Sequence, residues 1–349
     1  MKNIRETLNS GNSYYIAEVG QNHQGDIQTA LEYVQIFAAA GASALKFQAR
    51  TNKDLFDEVS YNAIYNSENA FGDTYGEHRE FLELSKNQFI MIRDECHKHN
   101  TQFMCTPFDE ASLSMLIDID VDILKISSFD IGNLPFITKI AATNKPVVMS
   151  VGGGKNIHIE RSVDCILGYH DDITLLHCVS EYPCPHDRLG LSAIQDLIEK
   201  FKGINVGVSD HFNGILSGPI AYMMGARVFE KHVTTNRSQK GTDHSFALEP
   251  EGFRKFVRDI NRVPEMMGKK PQDELGTEKV FKKLGKSIIA ARNINPGESL
   301  DLNNLSGRIF SKTYVPVRES YRMIGLKSKD SIKIGEPITF EQLTNNDDV

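Results

Sequence analysis

From residue 14 to about 263, short runs of β-branched and aromatic residues alternate with longer stretches of helical period. YYIAEVG (14–20) reads as a strand. Asp26 then stands where a helix N-cap belongs, Ile27, Leu31, Val34 and Ala38 recur on one helical face, and Gly41 supplies the stop. The following strands are ALKFQ (44–48), QFMCT (102–106), DILKIS (122–127), KPVVMS (145–150), ITLLHC (173–178), INVGVS (204–209) and ARVFEKH (226–232). Helical patterns such as DEASLSMLI, NLPFITKIAAT, ERSVDCILG and SAIQDLIEKF fall between them. Strands joined through helices lie parallel, with right-handed crossovers that carry the helices on the sheet face. Eight such units over this length match the count and size of a closed (β/α)8 TIM barrel, an α/β fold, better than those of an open doubly wound sheet.

Two segments break the rhythm. Residues 51–86 contain YNAIYNSENAFGDTYGEHREF, a long, aromatic-rich connection of the kind used as a lid or buried at an interface. Beyond residue 263 the chain becomes polar and punctuated by Gly and Pro, then gives short strand-like runs: SIIAARNI, LSGRIF, MIGL and DSIKIGEPIT. The expected organisation is a barrel over 1–265, a linker over 266–285 and a small, mainly β domain over 286–349, ending in a frayed acidic NNDDV.

Composition narrows the function classes. The 349 residues are 40% hydrophobic with net charge −7 and no extended Lys/Arg tract, so no nucleic acid and no anionic membrane is expected as partner. Apolar runs are strand-sized, and MKNIRETLNSGN lacks a signal-peptide core. Cysteines 96, 105, 165, 178 and 184 are odd in number and form no CxxC pair, which fits reduced thiols in a cytoplasmic protein.

Candidate chemistry sits at the strand ends, which converge on one mouth in a barrel. Glu18 lies near the end of the first strand, Lys46 and Gln48 in the second, and Thr106 ends the third. Lys125, Ser127 and Ser128 close the fourth strand and Ser150 the fifth; the sixth runs into HCVSEYP. The last two end in Ser209-Asp210-His211 and Glu230-Lys231-His232. One histidine on an apolar strand is usually a core residue, but two at equivalent ends of adjacent strands point to a metal. With no thiolate in register, His211 and His232 plus water or substrate oxygens suit Mn²⁺, Mg²⁺ or Co²⁺ better than structural zinc. Lys46 and Lys125, each flanked by apolar neighbours, suggest a phosphate or carboxylate pocket with Thr106, Ser128 and Ser209 as neutral donors. A Schiff-base lysine is the alternative. There is no Walker loop and no strand-linked GxGxxG.

The set AEVGQNHQGD, ALKFQ, TYGEHREFLEL, CTPFDE, LKISSFDIGNLP, HCVSEYPCP, VGVSDHF, FEKHVT and KGTDHSFALEP closely resembles the sialic acid (nonulosonate) synthase family, and the last domain resembles its SAF (antifreeze-like) module. The resemblance implies condensation of phosphoenolpyruvate (PEP) with an N-acetylmannosamine-type amino sugar, releasing phosphate and forming a nine-carbon acid. It implies metal ligation by His211 and His232 and a PEP site of Lys46, Thr106, Lys125, Ser128, Ser180 and Ser209, with Ser180 standing where the family has asparagine. It further implies sugar contacts from Gln48, Asp130, Tyr182 and Asp243, Glu18 as acid or base, and Mn²⁺ as the metal, with Glu18, Lys46 and Lys125 as the catalytic set. Arg308 would reach the partner's site in a domain-swapped homodimer. The chain departs from the family pattern at Ile309-Phe310, where Pro-Gly is usual, and at Ser150-Val151-Gly152-Gly153, where Ser-Thr-Gly-Met is usual; both bear on which sugar is used. Another PEP-dependent ulosonate-phosphate synthase and a non-catalytic sugar-binding protein remain as alternatives, the intact set of mouth residues speaking against the second.

Overall fold

The computed structural model describes residues 1–344, so the NNDDV tail expected to fray lies outside the described residues. The chain divides into two compact units, Met1–Met267 and Gly268–Val349. In the first, β1 (Tyr14–Gly20), β2 (Ala44–Ala49), β3 (Gln102–Pro107), β4 (Ile123–Ile126), β5 (Val147–Ser150), β6 (Ile173–Cys178), β7 (Asn205–Asp210) and β8 (Val228–His232) follow one another around a closed barrel. Every pairing is parallel, and β8 returns to β1 with Glu18 opposite His232. No described helix is long and apolar enough to cross a membrane.

Successive side chains of a strand point to opposite faces, so one parity fills the barrel and the other packs under the helices. The inward apolar set is Tyr14, Ile16, Ala44, Met104, Ile123, Val148, Leu176 and Val228, joined by Ile4 of the N-terminal helix Ile4–Asn9. Residues of the other parity, among them Tyr15, Ala17, Leu45, Phe47, Phe103 and Leu124, join the larger cluster shared with the helices. Two residues beyond the inward apolar layer, polarity switches on every strand. Ile16 gives way to Glu18, Ala44 to Lys46, Met104 to Thr106 and Ile123 to Lys125; Val148, Leu176, Gly207 and Val228 are followed by Ser150, Cys178, Ser209 and Glu230. All eight polar or thiol side chains are buried.

The helix Ile27–Ala39 starts where expected, with Asp26 accepting from the amides of Gln28 and Thr29. Its buried face differs from the expected one: Ala30, Tyr33, Val34 and Phe37 are buried, Ile27 and Leu31 only partly. The stripe is centred on its aromatics because these fill the space against the helix Pro250–Met266, where Phe37 meets Phe253 edge-on at 5.7 Å. Gly41 adopts φ +104°, a conformation L side chains rarely take.

The 51–86 connection carries the helices Asn52–Leu55, Glu58–Tyr61 and Tyr75–Phe81. Its aromatics pack on one another: Phe71 stacks on Phe81 at 4.8 Å, and Phe56 and Tyr65 meet Tyr75 edge-on at 5.2 Å. A Thr74–Glu77 capping box starts its last helix, so the segment holds its own structure.

In the second unit β9 (Ser287–Ala290) pairs antiparallel with β10 (Leu305–Arg308), and β11 (Lys327–Ser328) with β12 (Leu343–Thr344). MIGL and DSIKIGEPIT, expected as strands, are not regular ones. Met323, Ile332 and Ile338 enter the core, but the second run makes only single bridges, Ile294 to Ile332 and Ile289 to Pro337. Gly335 at φ +82° and Pro337, which lacks an N–H, interrupt any ladder there. The stretch 266–285, expected as a linker, contains a 3₁₀ turn, Gln272–Glu274, and a short helix, Lys279–Leu284.

A Cβ at Gly207 would lie 2.0 Å from the Val228 carbonyl oxygen and 2.8 Å from Leu176 Cδ2, at the β7–β8 seam. Gly207→Ala should therefore cost at least about 3 kcal/mol through overpacking, read as a lowered urea midpoint; an unchanged midpoint would show that this seam relaxes freely.

Candidate active site

The polar ends of the strands surround a cavity of roughly 240 Å³ at the C-terminal mouth of the barrel. Of the residues singled out in the sequence, Glu18, Lys46, Gln48, Thr106, Lys125, Ser128, Tyr182, Ser209, His211, His232 and Asp243 line it together. Three do not. Ser180 lies beside the cavity with its hydroxyl 3.9 Å from Cys178 Sγ. Asp130 accepts from Ser127 Oγ and Asn133 Nδ2 in the turn after β4. Arg308 belongs to the C-terminal unit, where it is exposed and its guanidinium lies 3.5 Å from the Gly335 carbonyl.

Four buried charges meet in the floor. Lys46 Nζ lies 2.9 Å from Glu18 Oε2 and 3.6 Å from Glu230 Oε1. Gln48 donates to Glu18 at 2.7 Å, and Ser209 donates to Glu230 at 2.8 Å. Burial pushes the Glu18 carboxyl above its ordinary range, opposed by Lys46 and reinforced by Glu230. Burial acts the same way on Glu230, but Lys125, Lys46 and the Ser209 hydroxyl outweigh it and hold that carboxyl low. Lys46 loses solvation yet gains more from its two carboxylates, so its ammonium titrates above the usual range.

Lys125 differs. Its ammonium donates to Ser150 Oγ at 2.7 Å and to the Ile126 carbonyl at 3.0 Å. Burial lowers its pKa, and Glu230 offsets that only in part. Lys46 thus sits between two carboxylates, whereas Lys125 is the cation left short of charge compensation.

His211 and His232 face each other across the mouth with ring centroids 5.4 Å apart. His211 Nδ1 donates to the Val179 carbonyl at 2.7 Å, which leaves Nε2 as the free lone pair. His232 Nδ1 is buried and has no hydrogen-bond partner among the described residues; Asp243 Oδ2 stands 3.7 Å away. Burial lowers the His232 pKa, keeping the ring neutral and able to ligate. Tyr182 packs over His211 at 4.0 Å and Phe246 against His232 at 5.2 Å. No cluster of three or more His, Cys, Asp or Glu among the described residues is placed to hold a metal ion by itself. The two imidazoles would leave most of a cation's shell to oxygens from outside the chain.

The middle residues of the two polar triplets turn the other way. Asp210 and Lys231 have the outward parity and pair at 2.7 Å, both side chains with no exposed surface. Lys231 also reaches the Phe212 carbonyl, while Asp210 accepts from the Phe212 amide and the Ser217 hydroxyl. This pair holds the backbone on either side of His211.

Sequence reasoning passed over several lining residues. Glu230, noted only as a strand-end group, shares its strand face with His232, so the period of two could have assigned it to the mouth. Arg50 likewise follows Gln48 by two. Gln21 and Arg79 also line the cavity, and no periodicity marks Arg79, because the 51–86 connection delivers it.

Residues 33–272 match the NeuB family, and the chain belongs to that family. It is 32% identical to an N-acetylneuraminate-9-phosphate synthase of Drosophila melanogaster, covering 95% of this chain and 96% of that one. It is 31% identical to an N,N'-diacetyllegionaminic acid synthase of Legionella pneumophila over 97% of each. A crystal structure of N-acetylneuraminic acid synthetase from Leptospira borgpetersenii, in complex with citrate, superposes with a TM-score of 0.67 at 32% identity, covering 78% of this chain and 92% of that chain.

Lys231→Met should lower stability by about 3–5 kcal/mol in urea unfolding, because it strands the Asp210 charge in a site without solvent. Adding Asp210→Asn should recover part of that loss; a fully additive double variant would mean the two side chains do not act as a pair.

Proposed function

We propose that this chain catalyses a PEP-dependent carbon–carbon condensation with the open-chain aldehyde of an N-acetylmannosamine-type amino sugar, yielding a nine-carbon nonulosonic acid and inorganic phosphate. The observation that carries this reading is one cavity in a NeuB-family barrel that combines an under-compensated lysine, a buried carboxylate pair and two facing imidazoles.

Lys125, with Thr106, Ser128 and Ser209, supplies donors for the phosphate and carboxylate of PEP, and Lys46 sets the charge balance beneath them. Binding there orients the PEP methylene carbon toward the aldehyde. The new bond joins that carbon to the aldehyde carbon, leaves positive charge on C2 of the PEP unit, and turns the aldehyde oxygen into a hydroxyl on protonation. Glu230, held ionised by its lysine neighbours, stabilises that charge. Water then adds to C2 and gives up a proton to Glu18, whose carboxylate burial makes more basic. C–O cleavage of the resulting hemiketal phosphate releases inorganic phosphate and leaves the ketone. His211 and His232 would hold a divalent cation, Mn²⁺ by preference, which supplies Lewis-acid polarisation of a carbonyl oxygen when bound. Tyr182 and Phe246 pack against the imidazoles and keep them in position.

The same reading gives Arg308 a role at the cavity of a second copy in a domain-swapped homodimer, and the five free cysteines suit a cytoplasmic enzyme. One observation favours a second reading: burial lowers the Lys125 pKa, as a Schiff-base lysine requires. Borohydride with a keto-acid substrate distinguishes the two, since only the aldolase route traps an adduct on Lys125.

Phosphate release from PEP with Mn²⁺ and an amino-sugar panel should be metal-dependent and stop in EDTA. His211→Ala should lower turnover at least about 100-fold with an unchanged melting curve; an enzyme equally active in chelator would remove the metal from the account. Lys125→Met should raise the KM for PEP by about 10- to 100-fold and that for the sugar far less. Equal effects on both would argue against Lys125 as an anion ligand.

A further inference from the structure

The cavity contains cations that the floor does not need. In the floor Glu18 and Glu230 both pair with Lys46, and Lys125 lines the same cavity bonded to Ser150 and a backbone carbonyl. On the other side of Gln48 lie Arg50 and Arg79. Arg50 Nη2 donates to Gln48 Oε1 at 2.6 Å, and Gln48 in turn donates to Glu18, so two side-chain hydrogen bonds separate Arg50 from the catalytic floor. The Arg50 guanidinium lies over Phe108, 3.9 Å from the ring centroid, and its side chain is 8% exposed. Its Nη1 has no hydrogen-bond partner among the described residues, the nearest carboxylate oxygen being that of Glu83 at 3.6 Å.

Arg79 reaches the same place from the 51–86 connection. It donates to Gln21 at 2.6 Å and to the Tyr75 hydroxyl, and Gln21 donates on to Glu83. A guanidinium has five N–H donors, and these bonds leave some unused on both arginines. Glu83 is the carboxylate that faces Arg50, and Arg79 reaches it only through Gln21. Burial pushes Glu83 up to about 7 in spite of Arg50, and burial with the charge of Arg79 lowers Arg50 to about 10. The lowered Arg50 pKa is that of a buried cation short of counter-charge, which an incoming anion would supply.

We propose that Arg50 and Arg79 form a second anion subsite, separate from the lysine floor, which takes the phosphate of a 6-phosphorylated N-acetylmannosamine-type sugar. The inference rests on the condensation proposed above. The aldehyde end of the sugar must meet PEP over the floor, so its opposite end, the C6 substituent, extends away from that point. A phosphomonoester dianion matches two forked donors in charge and geometry, whereas a neutral C6 hydroxyl leaves the buried Nη1 of Arg50 unanswered. Addition of the three PEP carbons makes that C6 phosphate the 9-phosphate of the product.

The test compares the full-length enzyme and Arg79→Gln in PEP-dependent phosphate release with N-acetylmannosamine and with its 6-phosphate. The wild type should favour the phosphorylated sugar at least 100-fold in kcat/KM. Arg79→Gln should cut that preference at least tenfold, chiefly by raising the KM for the phosphorylated sugar, while the KM for PEP moves less than twofold. Arg50→Lys keeps a charge on the buried side and should lose less, which guards against reading misfolding as lost binding. Condensation without a preference for the phosphorylated sugar, or a preference that survives Arg79→Gln, overturns the subsite and leaves the reaction standing. If no sugar supports phosphate release, the reaction fails, and calorimetry with N-acetylmannosamine 6-phosphate, PEP and EDTA judges the subsite alone. Binding lost in Arg79→Gln then supports it; absent or unchanged binding overturns it.

Discussion

The cluster of Lys46, Glu18 and Glu230 is the constraint on which the mouth of this barrel depends. Three charges with almost no exposed surface are tolerable only because each ammonium–carboxylate contact offsets part of the desolvation of its neighbours. Around that cluster the other polar groups fall into place: Gln48 and Ser209 each donate to one carboxylate oxygen, and Lys125 turns to Ser150 and a backbone carbonyl instead. The floor is thereby stable without ligand yet leaves one cation short of charge, which is the condition for admitting an anion without tearing the resting site apart.

Around the rim, the two imidazoles depend on a different kind of support. His211 is aimed by its bond to the Val179 carbonyl and by the outward Asp210–Lys231 pair, which locks the backbone next to it. The alternating strand thus uses its two faces for different ends: chemistry inward, anchoring outward. Stability and function share the same triplets of sequence, and neither could be moved by one position without exchanging their places.

The 51–86 connection adds what the strands cannot. Its stacked aromatics and capped helix make it rigid enough to present Arg79 to a cavity built otherwise from β-strand ends, next to an Arg50 that is itself held over Phe108. Barrels of this architecture gain specificity by such loop additions at the C-terminal face, while the strand ends keep the chemistry.

Much of this was legible in the residues themselves. Eight apolar runs of strand length, separated by helical patterns, implied the closed parallel barrel, and the period of two carries Glu18, Lys46, Lys125, Ser209 and His232 to one face because backbone geometry leaves no choice. The small C-terminal unit was less legible: Met323 and Ile332 are core residues without being strand residues, since packing can bury a side chain that no ladder holds. Charge pairing was not legible at all. Nothing along the chain says that Lys46 is already claimed by Glu18 and Glu230, that Lys125 is not, that Asp210 anchors Lys231, or that Arg79 stands near Arg50. The sequence by itself determined the architecture and the list of groups at the mouth, because both follow from local periodicity. Only the tertiary structure decided which charges neutralise one another and which remain open, because Coulomb energy and desolvation depend on distances between residues far apart in the chain.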